Sequence, residues 1–136
     1  MEATKSQIIL LKEDYDLMIA YLRGTFVRTS FDRDNAEMLE AELKNAKLVS
    51  KDQFPEDVIR LNSKVKVKDE MNGKMMELTL VTPDKVDIKS RKVSVMAPIG
   101  TALIGFRKGQ QVSWRVPAGE KTFTIIEVSN DEEQTD

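Results

Sequence analysis

The chain has 136 residues, 40% hydrophobic and 32% charged, and a formal net charge of −2, which bounds it to one domain or a small domain with an appendage. It contains neither cysteine nor histidine, so disulfides, Cys-ligated zinc and Ser–His or Cys–His catalysis are excluded, and any metal would rest on carboxylates, hence Mg²⁺ or Ca²⁺. Residues 1–61 carry 9 basic and 12 acidic side chains, residues 62–130 carry 12 and 7, and residues 131–136 carry four acids and no base, which is not the strong basic patch of a general nucleic-acid binder.

No apolar run approaches the ~20 residues of a membrane span. The opening residues lack the basic-then-apolar order of a signal peptide. A cytoplasmic protein without stable membrane association is expected.

Residues 1–7 are polar and expected to fray. Ile8, Ile9, Leu10 and Leu11 read as an extended piece. A helix follows over 12–22, because Leu11, Tyr15, Met18 and Leu22 repeat at the 4-3-4 spacing of a helix–helix seam, and Gly24 stops it. Residues 24–31 connect it to a second helix, with Phe26, Val27 and Phe31 either capping the seam or facing a partner. That helix starts at Asp32 or Asp34 and runs to Lys47, with Asp34 and Glu37 at capping-box spacing and Ala36, Leu39, Leu43 and Ala46 repeating 3-4-3. The expected object is a short antiparallel helical hairpin over residues 1–48.

Residues 49–61 read as a linker in which Phe54, Val58, Ile59 and Leu61 dock the hairpin to the body. From residue 62 the period changes to 2. A strand over 63–68 alternates Val65 and Val67 with Lys64, Lys66 and Lys68. The lysines fit a solvated face or a protected edge, with an anionic partner as the second reading. Asn72-Gly73 marks a hairpin, and 75–81 returns with Met76, Leu78 and Leu80 on one face. Thr82, Pro83 and Asp84 form a turn, 86–91 crosses over, and 92–96 is a third strand. Pro98 opens a short helix, Ala102, Leu103 and Ile104 give it an apolar turn, and Gly105 ends it. Strands over 111–116 and 122–129 follow, separated by a turn at 117–120, and 131–136 is an acidic tail. The fold class is α+β: about five strands wrapping one short helix, behind a helical hairpin, with no β-α-β-α alternation.

No nucleotide-binding or hydrolase motif is present. Gly100, Gly105 and Gly109 are too widely spaced for a phosphate cradle and fit a turn, a helix stop and a second turn. Asp32, Asp34 and Glu37 near the hairpin tip either compensate a helix N-terminus or could deliver Mg²⁺ to another protein's active site. Met71, Met75, Met76 and Met96 fit core filler or an adaptable binding surface.

The run 94–105, Ser-Val-Met-Ala-Pro-Ile-Gly-Thr-Ala-Leu-Ile-Gly, closely resembles the C-terminal domain of the GreA/GreB transcript-cleavage factors. So do Lys108-Gly109, Val116-Pro117-Ala118-Gly119-Glu120, Ile126-Glu127-Val128, and Thr82-Pro83-Asp84 with Asp87. Residues 40–46 look like the end of those factors' second coiled-coil helix. The segment 54–63 and the run 94–105 are similar to the Rnk branch, the regulators of nucleoside diphosphate kinase, whose coiled coil is truncated. The resemblance implies an FKBP-like antiparallel domain over 62–130. It also implies a partner, bacterial RNA polymerase, met at the rim of its secondary channel by Met96, Ala97, Pro98 and Ile99, with Lys108 and Asp84 beside them.

Helical arms of about 15 residues reach roughly 20–25 Å, short of the longer Gre coiled coil. Residues 33–37 resemble the Gre tip motif with Asp34 at one acidic position, but the other falls on Phe31, with Asp32 beside it. The resemblance therefore implies a non-enzymatic, cofactor-free regulator, acting as a monomer, that competes with longer channel factors and meets nucleic acid only through polymerase. The alternatives are a cleavage-stimulating factor working through the tip carboxylates and, less favoured, a peptidyl-prolyl isomerase. Trp114 is the single tryptophan, a poor basis for an aromatic-lined proline pocket.

Overall fold

The computed structural model describes residues 8–24, 30–116 and 119–130. The frayed start, most of the 24–31 connection with Phe26 and Val27, the Pro117-Ala118 turn and the acidic tail lie outside the described residues.

The chain opens with strand β1 (Ile9–Leu11), helix α1 (Lys12–Gly24), helix α2 (Ser30–Lys44) and strand β2 (Lys47–Val49). Two of these elements depart from expectation. Helix α2 begins at Ser30, so Asp34 is an interior position and cannot cap it. It also ends three residues early, because residues 47–49 are a strand, paired in parallel with β1 through Ile9–Lys47, Leu10–Leu48 and Leu11–Val49. Parallel strands need a long crossover, and the two helices supply it. A three-residue strand has no readable period, so β2 is invisible to pattern reading.

The body is a five-stranded sheet: β3 (Lys64–Asp69), β4 (Met75–Val81), β5 (Lys92–Ser94), β6 (Gln111–Val116) and β7 (Gly119–Ser129), in the order β5-β4-β3-β7-β6. The sheet is mixed, since β5 runs parallel to β4 while every other pair is antiparallel. The wholly antiparallel sheet expected from sequence is therefore corrected. Strand β3 is central, which overturns the edge reading of its lysines. They sit on the solvent face, where Lys66 stands between Glu77 on β4 and Glu127 on β7, a favourable cross-strand arrangement. The β3–β7 register slips between Lys66 and Val67, leaving Ile126 unpaired as a bulge. The bulge resets the alternation, so that Phe123, Ile125 and Val128 all turn to the core.

One hydrophobic cluster joins the elements. It includes Ile8 and Leu10, Met18 of α1, Leu39 and Leu43 of α2, and Val65, Val67, Leu78, Leu80, Phe123 and Ile125 of the sheet. Val58 and Ile59 are wholly buried and Leu61 almost so, so the segment between β2 and β3 is part of this core. The short helix α3 (Pro98–Leu103) packs between α2 and β6, with Ala102, Leu103 and Ile104 buried. No described helix is long and apolar enough to cross a membrane.

Candidate functional site

The bend between β5 and α3 carries Met96, Ala97, Pro98 and Ile99, and backbone geometry holds it in place. Val95 is buried and its N–H donates to the Val81 carbonyl at 2.8 Å. The Ser94 hydroxyl accepts from Met96 N–H at 2.8 Å, while the Ser94 carbonyl accepts from Ala97 N–H at 3.0 Å. The Ala97 carbonyl starts α3 by accepting from Thr101 N–H at 2.9 Å. The buried Thr101 hydroxyl donates to the Val95 carbonyl at 3.0 Å. Pro98 occupies the first turn of α3 as expected, where its missing N–H leaves no bond unmade.

Gly100 sits inside α3 rather than in a turn, which corrects its expected role. A Cβ there would stand 2.1 Å from the Ser94 carbonyl oxygen and 2.8 Å from Val95 Cα, so α3 can lie over the end of β5 only without a side chain at this position. Gly105 ends the helix with φ +84, and a Cβ on it would meet Ile8 Cβ at 2.5 Å. Its N–H donates to the Ile59 carbonyl at 2.9 Å and its carbonyl accepts from Ile9 N–H at 3.2 Å, so the glycine lets β1 and the 58–61 segment both close on the end of α3.

The bend presents four partly exposed apolar residues in a row. Met96 and Ile99 are packed against the core cluster on their inner sides. This is a rigid, half-apolar surface, the usual centre of a protein interface.

Asp84 lies in the turn Pro83–Lys85, which packs against β5. It accepts from the Thr82 hydroxyl at 2.7 Å and from the Tyr21 hydroxyl of α1 at 2.5 Å. The Tyr21 hydrogen bond, then that of Thr82, holds the Asp84 carboxyl below the ordinary carboxylate range, and the same contact raises the Tyr21 phenol. Lys108 is not gathered with Asp84. It follows the other end of α3, exposed, with its N–H on the Asp57 carbonyl at 3.0 Å, beside an Arg107–Asp57 ion pair at 3.6 Å.

Of the tip residues, Glu37 is exposed on α2. Phe31, Asp32 and Asp34 occupy its first two turns, and their side chains lie outside the described residues, as does that of Trp114. Among the described residues no group of three or more carboxylates is placed to hold a metal ion.

Two features escaped the sequence reading. Tyr21 sits one residue before the seam position Leu22 and gives no sign that it reaches Asp84. Asp14 is buried, with a carboxylate oxygen accepting from Leu61 N–H at 3.1 Å. Burial pushes its pKa up to about 6, against the lowering effect of that N–H and of Arg60. The signal was available, because Asp14 stands three residues after Leu11 and four before Met18, on the apolar stripe.

Comparison with known proteins agrees with this architecture. The family described as "Transcription elongation factor, GreA/GreB, C-term" matches residues 54–130. The "Regulator of nucleoside diphosphate kinase" of Escherichia coli K12 is 40% identical over 91 residues, 67% of each chain. A "Transcription elongation factor GreA" of Amoebophilus asiaticus is 34% identical over 91 residues, 67% of this chain and 58% of that protein. Among solved structures, "Prokaryotic transcription elongation factor GreA/GreB from Nitrosomonas europaea" superposes with a TM-score of 0.75 at 31% identity, covering 93% of this chain and all of the other.

Proposed function

The chain belongs to the GreA/GreB family of transcription elongation factors, and we propose that it acts as a non-enzymatic regulator docked on bacterial RNA polymerase at the rim of its secondary channel. The observation that carries this reading is the bend at Met96, Ala97, Pro98 and Ile99: an apolar, half-exposed row fixed from beneath by Ser94, Val95 and Thr101. It lies within the stretch that matches the family. Asp84 borders it through β5 and adds a polar rim, and Lys108 contributes a more distant positive charge.

The helices favour occupation of the entrance over delivery of chemistry. Helix α1 has 13 residues and α2 has 15. At 1.5 Å per residue these rods are about 20 and 23 Å long. A factor of this reach competes with longer channel-binding relatives without stimulating transcript cleavage.

The test is retention of the full chain on purified core polymerase, followed by displacement with a Gre factor. Retention that Ile99→Asp abolishes and that the Gre factor reverses is expected. Failure of the wild-type chain to bind overturns the reading. Release of short RNA from backtracked complexes on addition of the chain and Mg²⁺ would assign the tip carboxylates a cleavage role instead.

A further inference from the structure

The segment between β4 and β5 ends in a built turn with an unusual residue at its apex. Ile88 is 87% exposed, the most exposed large hydrophobic side chain among the described residues, and Val86 at its base is also exposed. Loop flexibility does not account for this, because the turn is braced throughout. Asp87 and Lys92 exchange backbone hydrogen bonds at 3.1 and 2.9 Å. The Asp87 carboxylate accepts from Lys89 N–H and from the Ser90 hydroxyl, both at 3.1 Å. Arg91 N–H donates to the Ile88 carbonyl at 3.0 Å, and the Arg91 carbonyl accepts from Thr79 N–H at 2.9 Å, tying the base to β4. Arg91 itself takes φ 56, a left-handed conformation uncommon outside glycine, which closes the turn.

The charges are sorted. Asp84 and Asp87 are engaged by hydrogen bonds inside the segment or to Tyr21. The side chains of Lys89, Arg91 and Lys92 form no ion pair with any described residue. The turn therefore presents an exposed isoleucine flanked in the chain by three cationic residues that no described carboxylate pairs. A nucleic-acid face combines a strong basic patch with stacking aromatics, and residues 86–92 carry an acid among their three cations and no aromatic side chain. A protein surface with an apolar notch and a carboxylate rim fits both the isoleucine and the cations.

The geometry points to the 86–92 turn as a second docking element: Ile88 inserts into an apolar notch on an acidic surface of RNA polymerase, and Lys89, Arg91 and Lys92 pair with the carboxylates around it. The inference rests on the polymerase-binding reading above. Strand β5 is three residues long, so the turn and the 94–99 bend stand about 10 Å apart and can engage one partner together.

The experiment is equilibrium binding of the labelled full chain to core RNA polymerase at low and moderate salt. The variants are Ile88→Asp and the triple charge reversal Lys89→Glu, Arg91→Glu, Lys92→Glu. Exposure of these side chains means both should fold, which thermal melts verify. Each is expected to weaken binding about tenfold or more, as central anchors and paired rim charges do, and the triple variant should also flatten the salt dependence. Wild-type binding with Ile88→Asp within twofold of it overturns the docking element and leaves the polymerase reading standing. Weakening by the charge reversal alone overturns it too, since a purely ionic contact needs no isoleucine. Absence of wild-type binding removes the polymerase reading and this element with it.

Discussion

The Tyr21 hydroxyl of α1 donates to the Asp84 carboxylate at 2.5 Å, across 63 residues of sequence. This contact joins the first helix to the turn that precedes β5. Asp84 titrates below the ordinary range chiefly because of it. A depressed carboxyl contributes stability that is present above the unfolded pKa and is lost as pH falls through the folded one. Tyr21→Phe should therefore raise the Asp84 carboxyl toward its ordinary value, read by NMR titration. Stability near neutral pH should change little, because Asp84 is exposed and the bond lies at the surface. An unmoved Asp84 titration would show that the Tyr21 hydroxyl does not set it.

Asp14 behaves in the opposite sense. Its pKa is about 6 in the folded chain against an ordinary 3.8. Between those values the folded state binds more protons than the unfolded state, so stability falls as pH rises from about 4 to 6. Asp14→Asn keeps an oxygen for the Leu61 N–H and removes the buried charge. It should stabilise the protein at pH 7.5 by up to about 3 kcal/mol and leave it near wild type at pH 3.5. Urea denaturation at the two pH values checks this, and equal effects at both would contradict it.

Gly100 and Gly109 separate two kinds of glycine dependence. A Cβ at Gly109 has open space around it and meets only the strain of φ +93, so Gly109→Ala should cost about 1–2 kcal/mol. A Cβ at Gly100 collides with the Ser94 carbonyl and Val95 Cα, neither of which can swing aside. Gly100→Ala should cost about 3 kcal/mol or more. It should also displace the 94–99 bend, so that the proposed binding to polymerase falls further than the loss of folded protein explains. Denaturant midpoints and binding of the refolded variant measure the two effects.

The parts of the fold legible in sequence were those with a repeating pattern. The 4-3-4 seam of α1 and the alternation of β3 and β4 were readable because burial of one face imposes a period on several residues. Asn72-Gly73 was readable because a tight hairpin needs positive φ, which Gly73 supplies at 72°. The missed elements have no such period. Strand β2 is three residues whose partner, β1, lies on the far side of two helices. The bulge at Ile126 exists only relative to β3. At the candidate site, Pro98, the short helix and its glycine stop were readable from local chemistry, whereas the closeness of Gly100 to Ser94 and the bond between Tyr21 and Asp84 are facts of packing. The exposure of Ile88 is likewise a packing fact, since an isoleucine in sequence reads as core by default.

Asn130 offers a test of how the body is held to the segment beneath α3. Its side-chain amide donates to the Val58 carbonyl at 2.7 Å and the Glu56 carbonyl at 3.1 Å, and its amide oxygen accepts from the Ser63 hydroxyl. The residue thus clamps the end of β7 to the 56–63 segment, which carries the Asp57 carbonyl beneath Lys108. Asn130→Ala removes all three bonds and should cost about 2 kcal/mol. Asn130→Asp is the sharper substitution, because it keeps the shape and the acceptor for Ser63 but sets an anionic oxygen against two carbonyls that need a donor. Repulsion is added to the lost bonds, so Asn130→Asp should be the less stable variant at pH 7. It should recover toward Asn130→Ala below about pH 4, where the carboxyl is protonated and can donate to one carbonyl again. Denaturation of both variants at pH 7 and pH 3.5 checks the order, and an aspartate as stable as the wild type at pH 7 would show that the clamp bears little of the fold.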